Sequence, residues 1–189
     1  DPQVAEDILA TGQADLVCMA RPFLADPDFV NKAAAGKADE IKTCIACNQA
    51  CLDHEFQNKR ASCLVNPRAC YETELNFTPA KRQKKIAVVG AGPAGMAFSV
   101  YAAQRGHELH LFDKSHQIGG QFNYAKQIPG KEEFHQTIRY FDRMLTLHAV
   151  KRELGQLQSV DSLASAGFDE IVLATGIVPR DLDLTGFHH

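Results

Sequence analysis

The sequence has 189 residues, a formal net charge of -3 and 45% hydrophobic residues. This is enough apolar material for one ordinary domain or two small ones. A charge so close to zero creates no field that would gather nucleic acid or an anionic membrane. The sequence shows no charged-then-apolar leader and no apolar run near the roughly 20 residues that cross a bilayer. We therefore expect a cytoplasmic protein that acts on a small molecule, without nucleic acid or membrane as a partner.

The first 40 residues predict a helix, a strand, a turn and a second helix. Residues 1–12 begin with an Asp-Pro pair and end on glycine, which is typical of a helix. Residues 15–19 are an apolar run suited to a buried strand, residues 20–22 a polar turn, and residues 26–36 the second helix. One strand between two helices cannot form a core by itself. Because the chain also opens without an initiating Met, we expect the rest of a longer chain to be its packing partner.

Four of the six cysteines are clustered at a spacing of C-x2-C-x3-C-x11-C, namely Cys44, Cys47, Cys51 and Cys63. Three closely spaced thiolates and a fourth from beyond a loop can surround a [4Fe-4S] cluster. Structural zinc is the alternative, although its ligands usually come as two separated C-x2-C pairs. Disulfides are a third possibility, which the reducing cytosol disfavours. The spacing favours the cluster and leaves zinc open, and Cys18 and Cys70 are expected to be small buried apolar residues.

Polar side chains beside these cysteines have two interpretations. Asn48, Gln49, Asn66 and Arg68 can donate hydrogen bonds to cluster sulfurs and tune the reduction potential. Equally, they can solvate a loop. The sequence does not choose between the two.

Residues 85–189 change to an alternating α/β pattern. Buried strands are predicted at 86–89 and 171–174, because each run is short and apolar, and another strand is predicted at 108–112. A helix is predicted over 93–105, and apolar residues spaced by three and four over 134–145 predict another. Strands that alternate with helices indicate a parallel sheet.

A dinucleotide-binding fingerprint follows the first of these strands. Gly90, Gly92 and Gly95 match G-x-G-x-x-G between a strand and a helix, and Asp113 ends the next strand. The glycines permit a tight turn and a close approach of a pyrophosphate, and the acid can accept hydrogen bonds from ribose hydroxyls. An acid at this position disfavours the 2′-phosphate of NADP and leaves FAD and NAD as ligands. A glycine-rich turn without a ligand is the plain alternative.

Two further motifs resemble the FAD-binding domain of the glutathione-reductase-like flavoproteins. Residues 118–121 read Ile-Gly-Gly-Gln shortly after the acid, and residues 174–176 read Ala-Thr-Gly after a later strand. In that family the first stretch runs along the flavin-proximal part of FAD, and the second closes the domain. The order of the three motifs favours FAD.

Taken together, the sequence resembles the bacterial 2,4-dienoyl-CoA reductases, which belong to the Old Yellow Enzyme-like group with trimethylamine dehydrogenase and the enoate reductases. The resemblance is carried by residues 19–27, 44–51, 62–68, 119–122 and 125–134. It covers nearly the whole chain.

The resemblance implies an α/β fold in three parts. Residues 1–40 would be the last βα unit of a TIM barrel whose C-terminal rim binds FMN. Residues 41–84 would be the [4Fe-4S] segment with its linker, and residues 85–189 an incomplete Rossmann-like FAD-binding domain.

The resemblance also implies cofactor-binding positions. The backbone N–H of Ala20 and the side chain of Arg21 would bind the FMN phosphate, although Arg21 can equally be a salt-bridging surface residue. Cys44, Cys47, Cys51 and Cys63 would hold the cluster. FAD would be bound by the positions Gly90, Gly92, Ala94, Gly95, Asp113, Gln121, Lys131, Gln158 and Gly176.

The activity implied is the NADPH-dependent reduction of 2,4-dienoyl-CoA in fatty-acid β-oxidation. Electrons would pass from NADPH to FAD, to the cluster, to FMN and finally to the conjugated acyl-CoA. In the family the acid–base residues lie earlier in the barrel and the NADPH domain follows the strand at 171–174. We therefore name no catalytic residue and expect these residues alone to be inactive.

Three other functions stay open at this point. An amine dehydrogenase or another enoate reductase would share the architecture and differ in substrate. An electron-transfer module like the flavin subunit of glutamate synthase would feed a partner protein. A zinc-stapled protein that senses NAD would contain no sulfide.

Overall fold

A computed structural model of the chain describes residues 1–178, and its centre is a four-stranded parallel β-sheet. The strands are β1 (Lys85–Val89), β2 (Glu108–Asp113), β3 (Lys151–Leu154) and β4 (Glu170–Leu173), in the order β3-β2-β1-β4. All three neighbouring pairs are parallel. The mixed α/β fold class expected from the sequence is confirmed.

Eight α-helices and one 3₁₀ turn (Ala38–Glu40) are present in the described residues. None of these helices is both long and apolar enough to cross a membrane. The helices are α1 (Pro2–Ala10), α2 (Arg21–Ala25), α3 (Phe29–Ala34), α4 (Leu52–Glu55), α5 (Pro93–Gln104), α6 (Phe122–Ala125), α7 (Phe134–Leu147) and α8 (Val160–Ser165).

Helices cover both faces of the sheet, which explains the continuous apolar run of the central strand β1. On one face Val88 and Leu111 pack with Met96 and Val100 of α5 and with Leu145 of α7. On the opposite face, a smaller hydrophobic cluster contains Ala87, Phe112 and Leu163 of α8. A parallel strand buried on both sides needs apolar residues at every position, not at alternate ones.

The sequence did not predict β3 and α8. β3 has the sequence Lys-Arg-Glu-Leu, whose polar positions give no strand signal, and it forms an edge of the sheet beside β2. α8 is only six residues long and is fixed by a capping box in which Ser159 and Ser162 bond each other's backbone N–H.

Residues 15–19, expected to be a strand, do not pair with any strand of residues 1–178. Leu16 is 86% exposed, and Cys18 is exposed instead of buried. A strand forms only when another strand supplies its hydrogen bonds. The apolar pattern therefore identified the segment but not its partner.

The two short helices after this segment also differ from expectation. Residues 21–25 form α2 instead of continuing a turn, with Pro22 in its first turn, where proline is well tolerated. α3 begins at Phe29 because the buried carboxylate of Asp26 accepts a hydrogen bond from the Asp28 backbone N–H at 3.1 Å. The Asp26–Pro27 step is thus a turn before the helix.

Two arginines of α7 attach the chain around the 3₁₀ turn to the flank of the sheet domain. The Arg139 guanidinium donates to the carbonyl oxygens of Asp39 and Ile41. Arg143 pairs with the carboxylates of Asp39 and Glu40 at 2.8 and 3.0 Å. These contacts hold residues 39–41, which directly precede the cysteines, against α7.

Lys42 makes a second attachment. Its ammonium donates to the Tyr101 hydroxyl at 3.1 Å and lies 5.3 and 5.7 Å from the ring centroids of Tyr101 and Tyr140. Burial lowers the pKa of Lys42 to about 8, and the Asp26 carboxylate only partly opposes this shift. The amine is therefore held among aromatic rings at some cost to its charged form.

We expect the free energy of unfolding to rise between pH 8 and pH 10 because of Lys42. In this window the folded protein has lost the Lys42 proton, while the unfolded chain keeps it up to its ordinary pKa near 10.5, so the unfolded state binds more protons. Lys42→Met should remove this rise, measured as the urea midpoint across the pH range. The exposed Lys37→Met variant should behave like the wild type. A Lys42→Met protein with an unchanged pH slope would contradict the account.

Candidate functional site

An open cleft of about 560 Å³ lies at the carboxyl ends of β1, β2 and β4. In doubly wound sheets this is the edge at which ligands bind. Six of the nine positions expected to bind FAD line it, namely Gly90, Gly92, Ala94, Asp113, Gln121 and Gly176.

The fingerprint glycines shape this cleft by close packing. Gly90 has a φ of +111°, and a Cβ atom there would overlap the carbonyl oxygen of Ala174. Gly95 lies behind the cleft lining, where a Cβ atom would overlap the carbonyl oxygen of Gly90. Gly92 differs because nothing lies within 4 Å of the position of its Cβ. Gly90 and Gly95 are therefore required by the packing of the fold, whereas Gly92 leaves space in the cleft for a ligand.

Helix α5 begins at this loop and presents donors to the cleft. Met96 makes the first helical hydrogen bond, to the Gly92 carbonyl at 3.0 Å. In residues 1–178 the backbone N–H groups of Ala94 and Gly95 have no acceptor. Free amides at the start of a 12-residue helix favour an anionic group such as a pyrophosphate.

The Asp113 carboxylate is oriented by the backbone on both sides. It accepts from the Ala91 N–H at 2.6 Å and from the Ser115 N–H at 2.7 Å. Each carboxylate oxygen has further lone pairs, so the group can still accept from ribose hydroxyls. The sequence identified the acid, but not its role in holding the glycine loop.

A second glycine turn lies beside the first. The Gly119 N–H donates to the Ala91 carbonyl at 2.8 Å, and a Cβ on Gly120 would lie 3.0 Å from the Gly92 Cα. The Gln121 side-chain amide donates to the Ile177 carbonyl at 3.4 Å. The two turns therefore form one wall of the cleft.

Lys114 and Tyr124 also line the cleft and were not expected. Lys114 directly follows the acid that the fingerprint identifies, which is the signal that could have revealed it. Tyr124 is 75% exposed and lies in α6, a single turn without a periodic pattern.

Besides Gly95, two expected FAD positions lie outside the cleft lining. The Lys131 ammonium is 5.5 Å from the centroid of the Phe134 ring, at the turn before α7. Gln158 precedes α8, where its side-chain oxygen accepts from the Ser162 hydroxyl at 3.2 Å. Neither Lys131 nor Gln158, which was expected to contact FAD through its backbone, lines the cleft.

The four clustered cysteines line one small cavity, together with Arg21. All of them are free thiols. Within residues 1–178, no three His, Cys, Asp or Glu side chains are grouped closely enough to hold a single metal ion. A four-iron cluster takes one thiolate on each iron, so its ligands surround a larger volume. Four free thiols around one cavity are the donor set that such a cluster uses.

The loop that carries these thiols has an unusual backbone. Ala46 and Asn48 have φ values of +52° and +59°, in the left-handed region that residues with a side chain rarely adopt. They alternate with the cysteines of the first C-x2-C-x3-C run. Sequence alone does not predict this conformation at Ala46, since alanine has no preference for it.

The Cys63 thiol is shielded on one side of the cavity. Burial raises its pKa, the backbone N–H groups of Val65 and Asn66 oppose this by donating to the sulfur, and the thiols of Cys44 and Cys47 raise it further. Amide donors favour the anionic sulfur that binds iron.

The polar side chains near the cysteines have other partners. The Asn66 side-chain amide donates to the Leu24 carbonyl at 2.9 Å. Arg68 donates to the Leu75 carbonyl at 2.7 Å. Asn66 and Arg68 therefore donate to backbone carbonyl groups and not to cysteine sulfurs.

Arg21 and Asn48 meet at the cavity. The Nη1 of Arg21 donates to the side-chain oxygen of Asn48. Ala20 is the exposed residue before α2, so its backbone lies next to this contact in the chain. The expected FMN-phosphate positions and the cysteine loop are therefore neighbours.

Comparison with known proteins matches both ends of the chain to flavoenzyme families. Residues 1–40 match the NADH:flavin oxidoreductase / NADH oxidase family. The metal reductase of Desulforamulus reducens is 41% identical over 94% of this chain, and the cinnamate reductase of Clostridium sporogenes is 31% identical over 98%. The chain spans 27% and 28% of the lengths of these two proteins.

A solved 2-naphthoyl-CoA reductase complex has the same fold. It superposes with a TM-score of 0.94 at 36% identity, over 97% of this chain and 28% of that one. Residues 84–189, more than half of the chain, match the pyridine nucleotide-disulphide oxidoreductase model. The chain therefore belongs to the pyridine nucleotide-disulphide oxidoreductase family.

Proposed function

We propose that the chain belongs to an NAD(P)H-dependent iron–sulfur flavoenzyme that reduces 2,4-dienoyl-CoA thioesters. The observation that carries the proposal is the convergence of four free thiols on a cavity that Arg21 also lines, in the same fold as the glycine-lined cleft. Two separate redox sites on one chain suit a relay between flavins.

The residues fit the proposed cofactors. The cleft offers free amides at Ala94 and Gly95, the Asp113 carboxylate and the open space at Gly92, which suit the pyrophosphate and ribose of FAD. Cys44, Cys47, Cys51 and Cys63 would hold a [4Fe-4S] cluster. Arg21, with the Ala20 N–H, would bind the phosphate of FMN. When bound, these groups would exchange single electrons at the cluster and electron pairs at the flavins.

The substrate class is supported by the relatives. A 2-naphthoyl-CoA reductase and a cinnamate reductase both take a carbonyl conjugated with carbon–carbon double bonds, and the first is also a CoA thioester. A 2,4-dienoyl-CoA combines these features. We further propose a cytoplasmic enzyme, since clustered free cysteines suit a reducing compartment. Neither nucleic acid nor a membrane is proposed as a partner.

The FAD assignment predicts different effects for two neighbouring glycines. Gly92→Ala should leave the thermal stability of the apoprotein unchanged, because its φ of -75° is ordinary and its Cβ meets nothing, yet weaken FAD binding about tenfold, or about 1.4 kcal/mol. Gly95→Ala should destabilise the apoprotein itself, because its Cβ overlaps the Gly90 backbone. Calorimetry and FAD titration of the full-length protein measure both effects. Wild-type FAD affinity in Gly92→Ala would remove this loop from the site.

The substrate assignment predicts a rank order of turnover for the full-length enzyme. With NADPH or NADH as donor, kcat/KM for a 2,4-dienoyl-CoA should exceed that for cinnamate by at least about tenfold, which is about 1.4 kcal/mol at the transition state. A saturated acyl-CoA of equal length is the control and should not be consumed. Oxidation of an amine without reduction of any acyl-CoA would point to the amine dehydrogenase alternative and contradict the proposal.

A further inference from the structure

We infer that Asn48 is a positioning residue whose side-chain amide holds Arg21 against the cysteine loop, so that the phosphate-binding group and the cluster ligands move as one unit. The inference rests on the proposed function, since it takes Arg21 as the FMN-phosphate group and the cysteines as cluster ligands. It assigns a role to Asn48 that differs from hydrogen bonding to sulfur.

The contact joins distant parts of the chain. Arg21 begins α2 and Asn48 lies 27 residues later, between Cys47 and Cys51. The Nη1 of Arg21 donates to the side-chain oxygen of Asn48, and both residues line the cysteine cavity. No other hydrogen bond holds the guanidinium among residues 1–178, and no carboxylate there lies within 4.0 Å of it. Asn48 is thus the group that orients Arg21.

The guanidinium keeps its capacity for an anion. Arginine has five N–H donors and no acceptor, and Asn48 engages one of them. A neutral amide orients the cation without neutralising it, unlike a carboxylate at the same place. The remaining donors suit a phosphate, which guanidinium groups bind through paired hydrogen bonds.

Asn48 is itself held firmly. Its φ of +59° is left-handed, a conformation that asparagine tolerates better than most residues. The backbone carbonyl oxygen of Asn48 accepts a hydrogen bond from the backbone N–H of Asp53 at 3.0 Å, which connects Asn48 to the start of α4. A shift of Asn48 would therefore move the backbone that carries Cys47 and Cys51.

A link of this kind works in both directions. If phosphate binding at Arg21 stabilises the orientation of Asn48, then the cluster environment must respond to the state of Arg21 by the same coupling. Loss of either the Arg21 or the Asn48 side chain should therefore alter both the phosphate site and the cluster site. This reciprocity separates a positioning role from a local effect on one cofactor.

Asn48→Gly in the full-length protein is the test, because glycine accepts the left-handed backbone and removes only the amide. We expect FMN binding to weaken about tenfold, the electron paramagnetic resonance signal of the reduced cluster to shift, and the iron content to stay at the wild-type level. Arg21→Ala should shift the same signal. Adding Asn48→Gly to Arg21→Ala should weaken FMN binding no further.

Asn58→Gly is the matched control. Asn58 is another left-handed asparagine of the cysteine segment, with a φ of +53°, and it is exposed and outside the cavity. This variant should keep wild-type FMN affinity and the wild-type resonance signal.

Three results would overturn the inference. These are unchanged FMN affinity in Asn48→Gly, additive losses in the double variant, or an unshifted cluster signal in Arg21→Ala. Wild-type protein that contains no FMN or no iron would instead refute the proposed function. The two failures are therefore distinguishable.

Discussion

The convergence of four thiols on one cavity is the main constraint on the arrangement of residues 41–84. This segment buries few apolar side chains, chiefly Ile41, Ile45, Ala50 and Ala69. So small a core offsets little of the entropy lost in ordering more than 40 residues, and ligation of the proposed cluster would supply further stabilisation. The left-handed backbone at Ala46, which costs free energy, is understandable if a bound group repays it.

The cysteine segment also joins the two other parts of the molecule. Towards the N-terminus, Asn66 bonds the Leu24 carbonyl and Asn48 bonds Arg21. Towards the sheet, Arg139 reaches the Ile41 carbonyl, and Lys42 lies between two tyrosines. Several of these contacts use a cation, which suits a segment that would carry thiolates and an electron-rich cluster. Fixed packing on both sides would keep the distances between the redox sites constant, which a relay of single electrons requires.

The sequence predicted the structural elements that depend on interactions between residues close together in the chain. The glycine loop, its strand and its helix were predicted because close backbone packing allows only glycine at Gly90 and Gly95. The prediction of a strand at residues 15–19 was wrong for the described residues, because strand pairing depends on a partner that is distant in the sequence. Strand β3 was not predicted, because this edge strand consists mostly of charged residues. The spacing of the cysteines predicted their grouping. It could not reveal the Arg21–Asn48 contact, because nothing in either local sequence specifies a partner 27 residues away.

The central proposal is that the four thiols hold a four-iron cluster. Its most direct test is metal and acid-labile sulfide analysis of the full-length protein purified without oxygen, beside Cys63→Ala and the Cys18→Ala control outside the cavity. We expect about four iron and about four sulfide per chain in the wild type and in Cys18→Ala, and a marked loss in Cys63→Ala. Zinc without sulfide in the wild-type protein would contradict it.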